Sequence, residues 1–570
     1  MNNNGKICSQ LALSKPQQHT SAPNGANCAH RLAEVAPDGS TYCYECRETL
    51  SVPPTIDHFE IQPTATRKGT SNKWSTFIDS VLQDVELFCD PNGTEYCTFN
   101  HDGHNETARI RSRHARNFLQ GMAYQRFEQA IPSNILDQAV GILENKARLN
   151  HIRHTVHVRL AFKYDAIWVD LGDQQWRAIR INGDGWQIVT NPPVKFRRPK
   201  GMLCLPEPVK GGNLETLRPL LNLEDDDSFA LIRAWLVGAF NPNGALTILL
   251  LHGEQGSSKT TASRFLRSLL DPNVSPVRSL PRKEHDLVIE AQDGLVMAFD
   301  NISYLTSSLS DALCRLSTGS GFGIRQLYTD AEQTIFNSKR PIMLNGIEEV
   351  ATRSDLLDRA IAVYLPPIAD DQRITEEELW RRFVEMQPGL LGALFDAVSM
   401  AMKRLPEVRS KIRQWPRMAD FAAWATAAEP ALGLEEGSLI AAYARNRSAS
   451  TKIALDSSIV ALAIIGLMAA RSQWEGTPTD LLKLLTLADE ATTRSKAWPK
   501  DGKGLSNAIR QVTPNLRNMG IEVEFHRTST ARTITLRRAS AIGPSASEEG
   551  KPLKGGPRCT WDLTKSPPGW

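Results

Sequence analysis

Residues 246–261 read Leu246-Thr247-Ile248-Leu249-Leu250-Leu251-His252-Gly253-Glu254-Gln255-Gly256-Ser257-Ser258-Lys259-Thr260-Thr261. The apolar run from Leu246 to Leu251 predicts a buried parallel strand. A loop from Gly253 to Ser258 follows. Lys259 and Thr260 then open a helical pattern with Phe265, Leu266, Leu269 and Leu270 on one face. Strand, glycine loop and helix in this order are the setting of a phosphate-binding loop. Gly253 and Gly256 let the backbone turn tightly and aim N–H groups at phosphate oxygens, and the helix N-terminus adds partial positive charge at the same point. The predicted cradle for ATP is Gly253, Glu254, Gln255, Gly256, Ser257, Ser258, Lys259, Thr260 and Thr261. Lys259 would reach the β- and γ-phosphates, and the Thr260 hydroxyl would bind Mg²⁺. Ser258 stands where G-x-x-x-x-G-K-[ST] has its second glycine.

Further nucleotide-site signals follow in order. Leu295 to Asp300 is an apolar strand ending in an acid that can hold Mg²⁺. Asn301 comes next, where many ATPases place a water-polarising glutamate, which weakens the case for rapid hydrolysis. Arg340 to Asn345 is a third strand whose last residue can contact the γ-phosphate or the attacking water. Arg353-Ser-Asp-Leu-Leu-Asp-Arg359 then leads into the apolar run Ala360 to Leu365.

With these residues in place, residues 225–368 resemble the ATPase domain of superfamily 3 helicases, a branch of AAA+ ATPases found in phage and plasmid primase-helicases. Lys259 and Thr260 match its Walker A lysine and hydroxyl, Asp300 its Walker B acid, and Asn345 its sensor asparagine. Leu316 to Tyr328, with Gly319, Gly321 and Arg325, is similar to an extra motif of that family. Arg359 falls where the family carries an arginine that reaches a neighbouring subunit's ATP, and Arg353 is the second candidate. The departures are Ser258, Asn301, and Ser320 or Gly321 in place of an acid. The chain also resembles a group of bacterial ATP-binding proteins associated with mobile elements. These likenesses imply an ATPase of helicase type that works as a homo-oligomeric ring on single-stranded or forked DNA.

With 570 residues the chain has room for several domains. Its hydrophobic content of 41% and charged content of 23% are ordinary for a soluble globular protein. The net charge of +3 is too small to imply a partner by itself. The apolar run Ile459 to Ala470 is too short to cross a bilayer and reads as a buried helix. Nine cysteines without secretory context point to a reducing, cytoplasmic compartment.

Near the N-terminus, Cys28-Ala29-His30 and Cys43-Tyr44-Glu45-Cys46 form two close ligand pairs that fit one tetrahedral Zn²⁺. A fold this small has too little core to stand without a metal or crosslinks. Cys89, Cys97, His101 and His104 lack paired spacing and read as structural. Asp165, Asp170 and Asp173 read as turn caps. The basic segment Lys195 to Lys200 reads equally as a nucleic-acid contact and as a solvated loop.

From Arg494 to Arg538, ten Lys and Arg residues stand against three acids, leaving +7 in a helix-and-hairpin pattern. That is the electrostatic footprint of a phosphate-binding face. Arg510 and Arg517 lie seven apart on its helix, which Pro514 is expected to bend or begin.

The expected class is a multi-domain α/β protein: an AAA+ P-loop ATPase core with an N-terminal zinc ribbon, an α+β middle domain, a helical lid and a C-terminal winged helix. The expected boundaries are 1–22 disordered, 23–52 zinc module, 53–72 linker, 73–205 α+β domain, 206–368 ATPase domain, 369–455 lid, 456–540 winged helix and 541–570 disordered tail. ATP, Mg²⁺ and Zn²⁺ are the expected cofactors. The expected function is a DNA helicase or translocase acting in replication of a mobile element, with an ATP-dependent DNA-bound switch as the alternative.

Overall fold

The computed structural model describes residues 73–319, 321–325, 333–336, 339–346, 354–456, 458–488, 498–527 and 532–538, with the backbone of 33–35, 41–43 and 49–50. The chain divides into two units, Met1–Asn72 and Lys73–Trp570. In the first unit, strands Ala33–Val35, Thr41–Cys43 and Thr49–Leu50 pair as an antiparallel meander. Cys43 ends the second of these strands, while Cys28, His30 and Cys46 lie outside the described residues.

The second unit opens with an antiparallel sheet of Val85–Cys89, Glu95–His101 and His104–Arg109. Helices Lys73–Asp84, Arg113–Phe127 and Ser133–Leu149 share its core through Phe77, Leu119 and Leu143. A four-stranded meander follows: Leu160–Lys163, Ala166–Asp170, Ala178–Asn182 and Gly185–Val189. The alternating run Val156 to Leu160 predicts one strand, but the chain breaks at Arg159, whose φ is +63°. Val156–His157 instead pairs in parallel with Lys195–Phe196. The break buries the Arg159 guanidinium, which donates to Asp271 Oδ1 at 3.1 Å and to the Asp170 and Leu203 carbonyls at 2.9 and 2.6 Å. A buried charge needs such partners, and they override strand propensity here.

Three of the four basic side chains in the segment Lys195 to Lys200 are engaged by acids of the chain, and Lys200 is exposed. Arg198 donates to both oxygens of Asp170 at 2.9 and 2.6 Å and lies 3.9 Å over the Trp176 ring. Arg197 binds Asp293 at 2.9 Å, and Lys195 pairs with Glu86. Asp170 is therefore an ion-pair partner as well as a turn cap, accepting from Gly172 N at 2.9 Å.

The centre of the unit is a parallel sheet in the order Met297–Ile302, Ile342–Gly346, Ile248–His252, Ala360–Tyr364. Its middle strand, Ile248–His252, is buried throughout. Alternate residues serve two cores, as strand geometry requires. Leu249 and Leu251 join Phe265, Trp235 and Phe395, while Ile248 and Leu250 join Leu287, Phe299 and Leu313. Helices cover both faces, so the strand reads as an unbroken apolar run.

The sequence pattern predicts two helices, Glu376 to Glu385 and Leu390 to Arg404. One helix, Glu376–Lys411, runs through both Pro388 and Pro406. Pro388 removes one ladder donor, and a neighbouring segment shares the exposed backbone. Val209 N donates to Pro388 O at 2.9 Å. A Cβ on Gly392 would overlap the Val209 carbonyl, so only glycine admits this approach.

The last part contains helices Ile459–Ala469, Pro478–Ala488 and Gly502–Asn518. They pack against an antiparallel sheet in the order Gln473–Gly476, Arg532–Arg538, Ile521–Arg527. Pro514 does not begin its helix; it lies inside Gly502–Asn518. Among the described residues no helix is long and apolar enough to cross a membrane.

Candidate functional site

The loop after His252 is shaped by three residues with positive φ. Gly253 has φ +147° and Gly256 has φ +79°. A Cβ at Gly253 would overlap the Leu365 carbonyl, so this position requires glycine on two counts. Leu365 is itself fixed by donating to His252 O at 2.8 Å. Ser258 has φ +61° and ψ +24°, the left-handed region. Glycine adopts this region freely, whereas a side chain costs about 1–2 kcal/mol there. The Ser258 hydroxyl makes no capping bond to the helix it precedes.

That helix, Lys259–Leu270, points its N-terminus into the loop. Lys259 Nζ donates to Gly253 O at 2.9 Å, Glu254 O at 2.6 Å and Ser257 Oγ at 3.1 Å. Burial lowers its pKa below the ordinary lysine value, and Asp300 opposes that shift. Ser257 is buried and donates to Glu254 O at 2.9 Å, which closes the loop on itself. Glu254, Gln255 and Gly256 are exposed, and Thr261 is half-buried in the first helical turn.

Thr260 Oγ1 donates to Asp300 Oδ1 at 3.1 Å. The strand carrying Asp300 shifts register between Phe299 and Ile302, and Asn301 there has φ +54°. Asn301 N donates to Asn345 Oδ1 at 2.9 Å. Asn345 is buried and donates through Nδ2 to Ser263 Oγ at 3.2 Å. Its amide thus ties its own strand to the bulge and to the Lys259–Leu270 helix. Two adjacent octahedral oxygens at Mg²⁺ bond lengths stand about 3 Å apart. The separation of Thr260 Oγ1 and Asp300 Oδ1, 3.1 Å, fits that requirement.

Lys259, Thr260, Asp300 and Asn345 gather at the carboxyl ends of the strands, where parallel sheets bind ligands. Arg359 does not join them. It precedes Ala360, which pairs with Ile248 at the opposite end of the sheet from His252 and Tyr364. Its Nη1 donates to Asp355 O at 2.8 Å. Arg353 lies outside the described residues. Of the extra motif, Gly319 caps the helix Ser307–Thr318 with φ +79°, and Phe322–Arg325 pairs with Gln333–Phe336 as a hairpin.

Three neighbours of the loop carry no local sequence signal. Asn222 Nδ2 donates to Ser257 O at 3.3 Å and also to Pro366 O. Arg373 Nη2 would lie 3.7 Å from a Cβ on Gly256. His252 is buried with Nδ1 unpartnered, and burial with Lys259 nearby lowers its pKa to about 4. Each is placed by contacts distant in sequence, or by burial that local spacing does not encode.

A second candidate surface lies in the last part of the chain. Because the helix continues through Pro514, Lys503, Arg510 and Arg517 recur every seven residues and share one face. All three are exposed, while Leu505, Ile509 and Leu516 face the core. Sequence reasoning paired Arg510 with Arg517 and missed the place of Lys503 in the row. Arg510 lies 4.5 Å over the Phe525 ring. Arg527 and Arg532 are paired and exposed at the end of the hairpin. Arg494 and Lys496 lie outside the described residues.

Residues 214–448 match a family model described as actinomycete integrative conjugative element replication protein. Residues 460–549 match the model described as AICE RepA C-terminal domain. No curated protein matches. Among solved structures, an apo form of the NrS-1 C-terminal region is 12% identical, covering 81% of this chain and 98% of that one, with a TM-score of 0.36. A second apo structure of that region is 12% identical, covering 83% and 100%, with a TM-score of 0.35. Scores this low establish no common fold. Residues 214–448 and 460–549, which hold the glycine loop and the basic helix and hairpin, are thus similar to the replication protein of actinomycete integrative conjugative elements and to its C-terminal domain.

Proposed function

We propose that this chain is an ATP-hydrolysing DNA helicase or translocase of the superfamily 3 type, acting in replication of a mobile element. The convergence of Lys259, Thr260 and Asp300 at a helix N-terminus, with Thr260 Oγ1 and Asp300 Oδ1 3.1 Å apart, carries the reading. In this reading residues 253–261 form a P-loop. Phosphate oxygens of ATP replace the loop oxygens that now accept from Lys259, and Thr260 and Asp300 hold Mg²⁺. Mg²⁺ neutralises charge that develops on the transferring phosphoryl group. Asn345 holds the bulge at Asn301 and so positions the edge of the site.

A single subunit leaves the site without Arg359, which stands at the far end of the sheet. A neighbouring subunit's Arg359 would complete it, and a head-to-tail interface of this kind closes into a ring. The residues after 456 act as a winged helix that grips single-stranded or forked DNA through Lys503, Arg510 and Arg517. The N-terminal module holds Zn²⁺ on Cys28, His30, Cys43 and Cys46, an assignment resting on ligand spacing.

The test is ATP turnover with and without single-stranded DNA, in the parent and in Lys259→Ala. DNA-stimulated turnover that disappears in the variant is expected. A variant that binds and hydrolyses ATP like the parent overturns the assigned loop. Asn301 favours a second reading, a DNA-bound switch with little hydrolysis, because an exposed amide stands beside Asp300 where many ATPases have a carboxylate. ATP-dependent DNA retention without turnover supports that reading instead.

A further inference from the structure

The hairpin Glu95–His101 and His104–Arg109 turns through Asp102 and Gly103, at φ +48° and +85°. Asp-Gly is the residue pair a two-residue turn of this hand requires. The turn sets His101 directly across from His104. Two residues further in, Glu106 points to the same face as both histidines, as period-two geometry dictates. The helix Arg113–Phe127 then brings His114, in its first turn, to the same carboxylate.

Three imidazoles converge on this one side chain. His101 Nδ1 lies 3.0 Å from Glu106 Oε1, His104 Nε2 lies 3.0 Å from the same oxygen, and His114 Nε2 lies 2.5 Å from Oε2. The metal-binding atoms of His101, His104 and Glu106 all lie within 4.8 Å of one another. Glu106 is only 5% exposed. Among the described residues its hydrogen-bond partners are all imidazoles. A buried carboxylate is ordinarily paired or bound to a metal, and the groups gathered on this one are three imidazoles, whose ring nitrogens are themselves metal ligands.

The surroundings are built to hold these ligands in place. Asn191 clamps the turn: its Nδ2 donates to Gly103 O at 3.2 Å, and its Oδ1 accepts from Asn105 N at 3.1 Å. The His114 ring stacks on Phe99, with centroids 5.6 Å apart. His101 turns its second nitrogen toward Asp102 at 3.7 Å, the kind of outer carboxylate that orients a metal-bound imidazole. Cys89 and Cys97 take no part, because their thiols donate to the Ala147 and Ala108 carbonyls inside the core.

We propose that His101, His104, Glu106 and His114 form a binding site for one divalent transition metal of the Zn²⁺ class. Three imidazole nitrogens and one carboxylate make the borderline-soft, tetrahedral donor set such ions take. His101 and His114 are half-exposed, so their rings can close by the small movement that metal bonds require. The ion would fasten the hairpin tip to the start of the Arg113–Phe127 helix. This site shares no residue with the glycine loop or with the four N-terminal ligands.

Cobalt(II) separates this site from the N-terminal module, because thiolate ligands add an intense charge-transfer absorption that imidazole and carboxylate do not. The full chain carrying Cys43→Ser and Cys46→Ser is titrated with Co²⁺ at neutral pH. One equivalent should bind with visible d–d absorption and no thiolate band. Adding His101→Ala and His114→Ala should weaken binding at least about 100-fold. Circular dichroism checks the fold of these variants, whose replaced side chains are half-exposed. In the chain with all cysteines intact, the same two histidine changes should remove one equivalent of bound zinc measured by mass spectrometry. A cysteine-substituted chain that binds no Co²⁺, or binding that ignores the histidine changes, overturns the proposal.

Discussion

Replacing Arg359 by alanine separates a site completed by a neighbour from one complete in itself. In the parallel sheet Ile248 pairs with Ala360, and His252 pairs with Tyr364. Arg359 precedes the first pair, and the glycine loop follows the second. Four residue steps at about 3.3 Å each put some 13 Å of strand between those ends. The guanidinium is moreover held near the base of the sheet by Asp355 O at 2.8 Å. Arg359 therefore does not serve Lys259 of its own chain. If it serves a neighbour's, Arg359→Ala should leave ATP affinity unchanged and slow turnover by about 10³-fold or more. That loss corresponds to about 4 kcal/mol of transition-state stabilisation. Lys259→Ala should be equally inactive for a different reason, the loss of its own phosphate contact. In an equal mixture of the two, an interface is competent when an Arg359→Ala subunit supplies Lys259 and a Lys259→Ala subunit supplies Arg359. Random head-to-tail assembly makes about one interface in four of this kind. Turnover should therefore recover toward about a quarter of the parent value if interfaces act independently. The assay is steady-state ATPase activity against mixing ratio, with assembly followed by light scattering. A monomer with full activity would refute the reasoning. So would an Arg359→Ala variant of undiminished turnover, or variants that co-assemble without regaining activity.

Three further outcomes are expected. Ser258→Gly should stabilise the chain by about 0.5–1 kcal/mol, because removing the left-handed penalty outweighs the extra freedom of glycine when unfolded; Ser258→Ala keeps the penalty, and a lower urea midpoint for the glycine variant contradicts the account. His252 is held neutral, with its pKa lowered to about 4 by burial and by Lys259. The unfolded chain thus takes up a proton below pH 6.5 that the folded chain refuses until about pH 4, and this contribution to stability is lost as pH falls through that window. Relative to His252→Phe, the parent should lose about 2 kcal/mol between pH 7 and pH 5, and identical pH profiles in urea unfolding would remove His252 from the explanation. Replacing Lys503, Arg510 and Arg517 together by alanine should flatten the log–log salt dependence of single-stranded DNA affinity by about two units; an unchanged slope in a salt series would assign this face to another partner.

Much of the glycine loop was legible in the sequence because its signals are local. Gly253, Gly256, Lys259 and Thr260 lie within eight consecutive residues, and their spacing alone specifies a strand, a tight turn and a helix start. The apolar strands were legible for a related reason: burial on both faces leaves an unbroken run of hydrophobic residues. Helix ends and interruptions were less so. Residues 376–404 read as two helices and Pro514 as a bend or a start, yet each helix runs through its proline, with buried residues on both sides of it. Charge was the least readable property. The run from Lys195 to Lys200 looked available, but acids as far away as Glu86 and Asp293 pair with Lys195 and Arg197. The row Lys503, Arg510 and Arg517 emerged only when the helix proved continuous. His101, His104, Glu106 and His114 belong to a hairpin and to the helix after it, and no fixed spacing in the chain announces their meeting. Nearest-neighbour chemistry can be read from order along the chain. The partner of a buried charge, the face a helix presents and the end of the sheet at which Arg359 stands are set by long-range packing, which decides where each side chain loses its water.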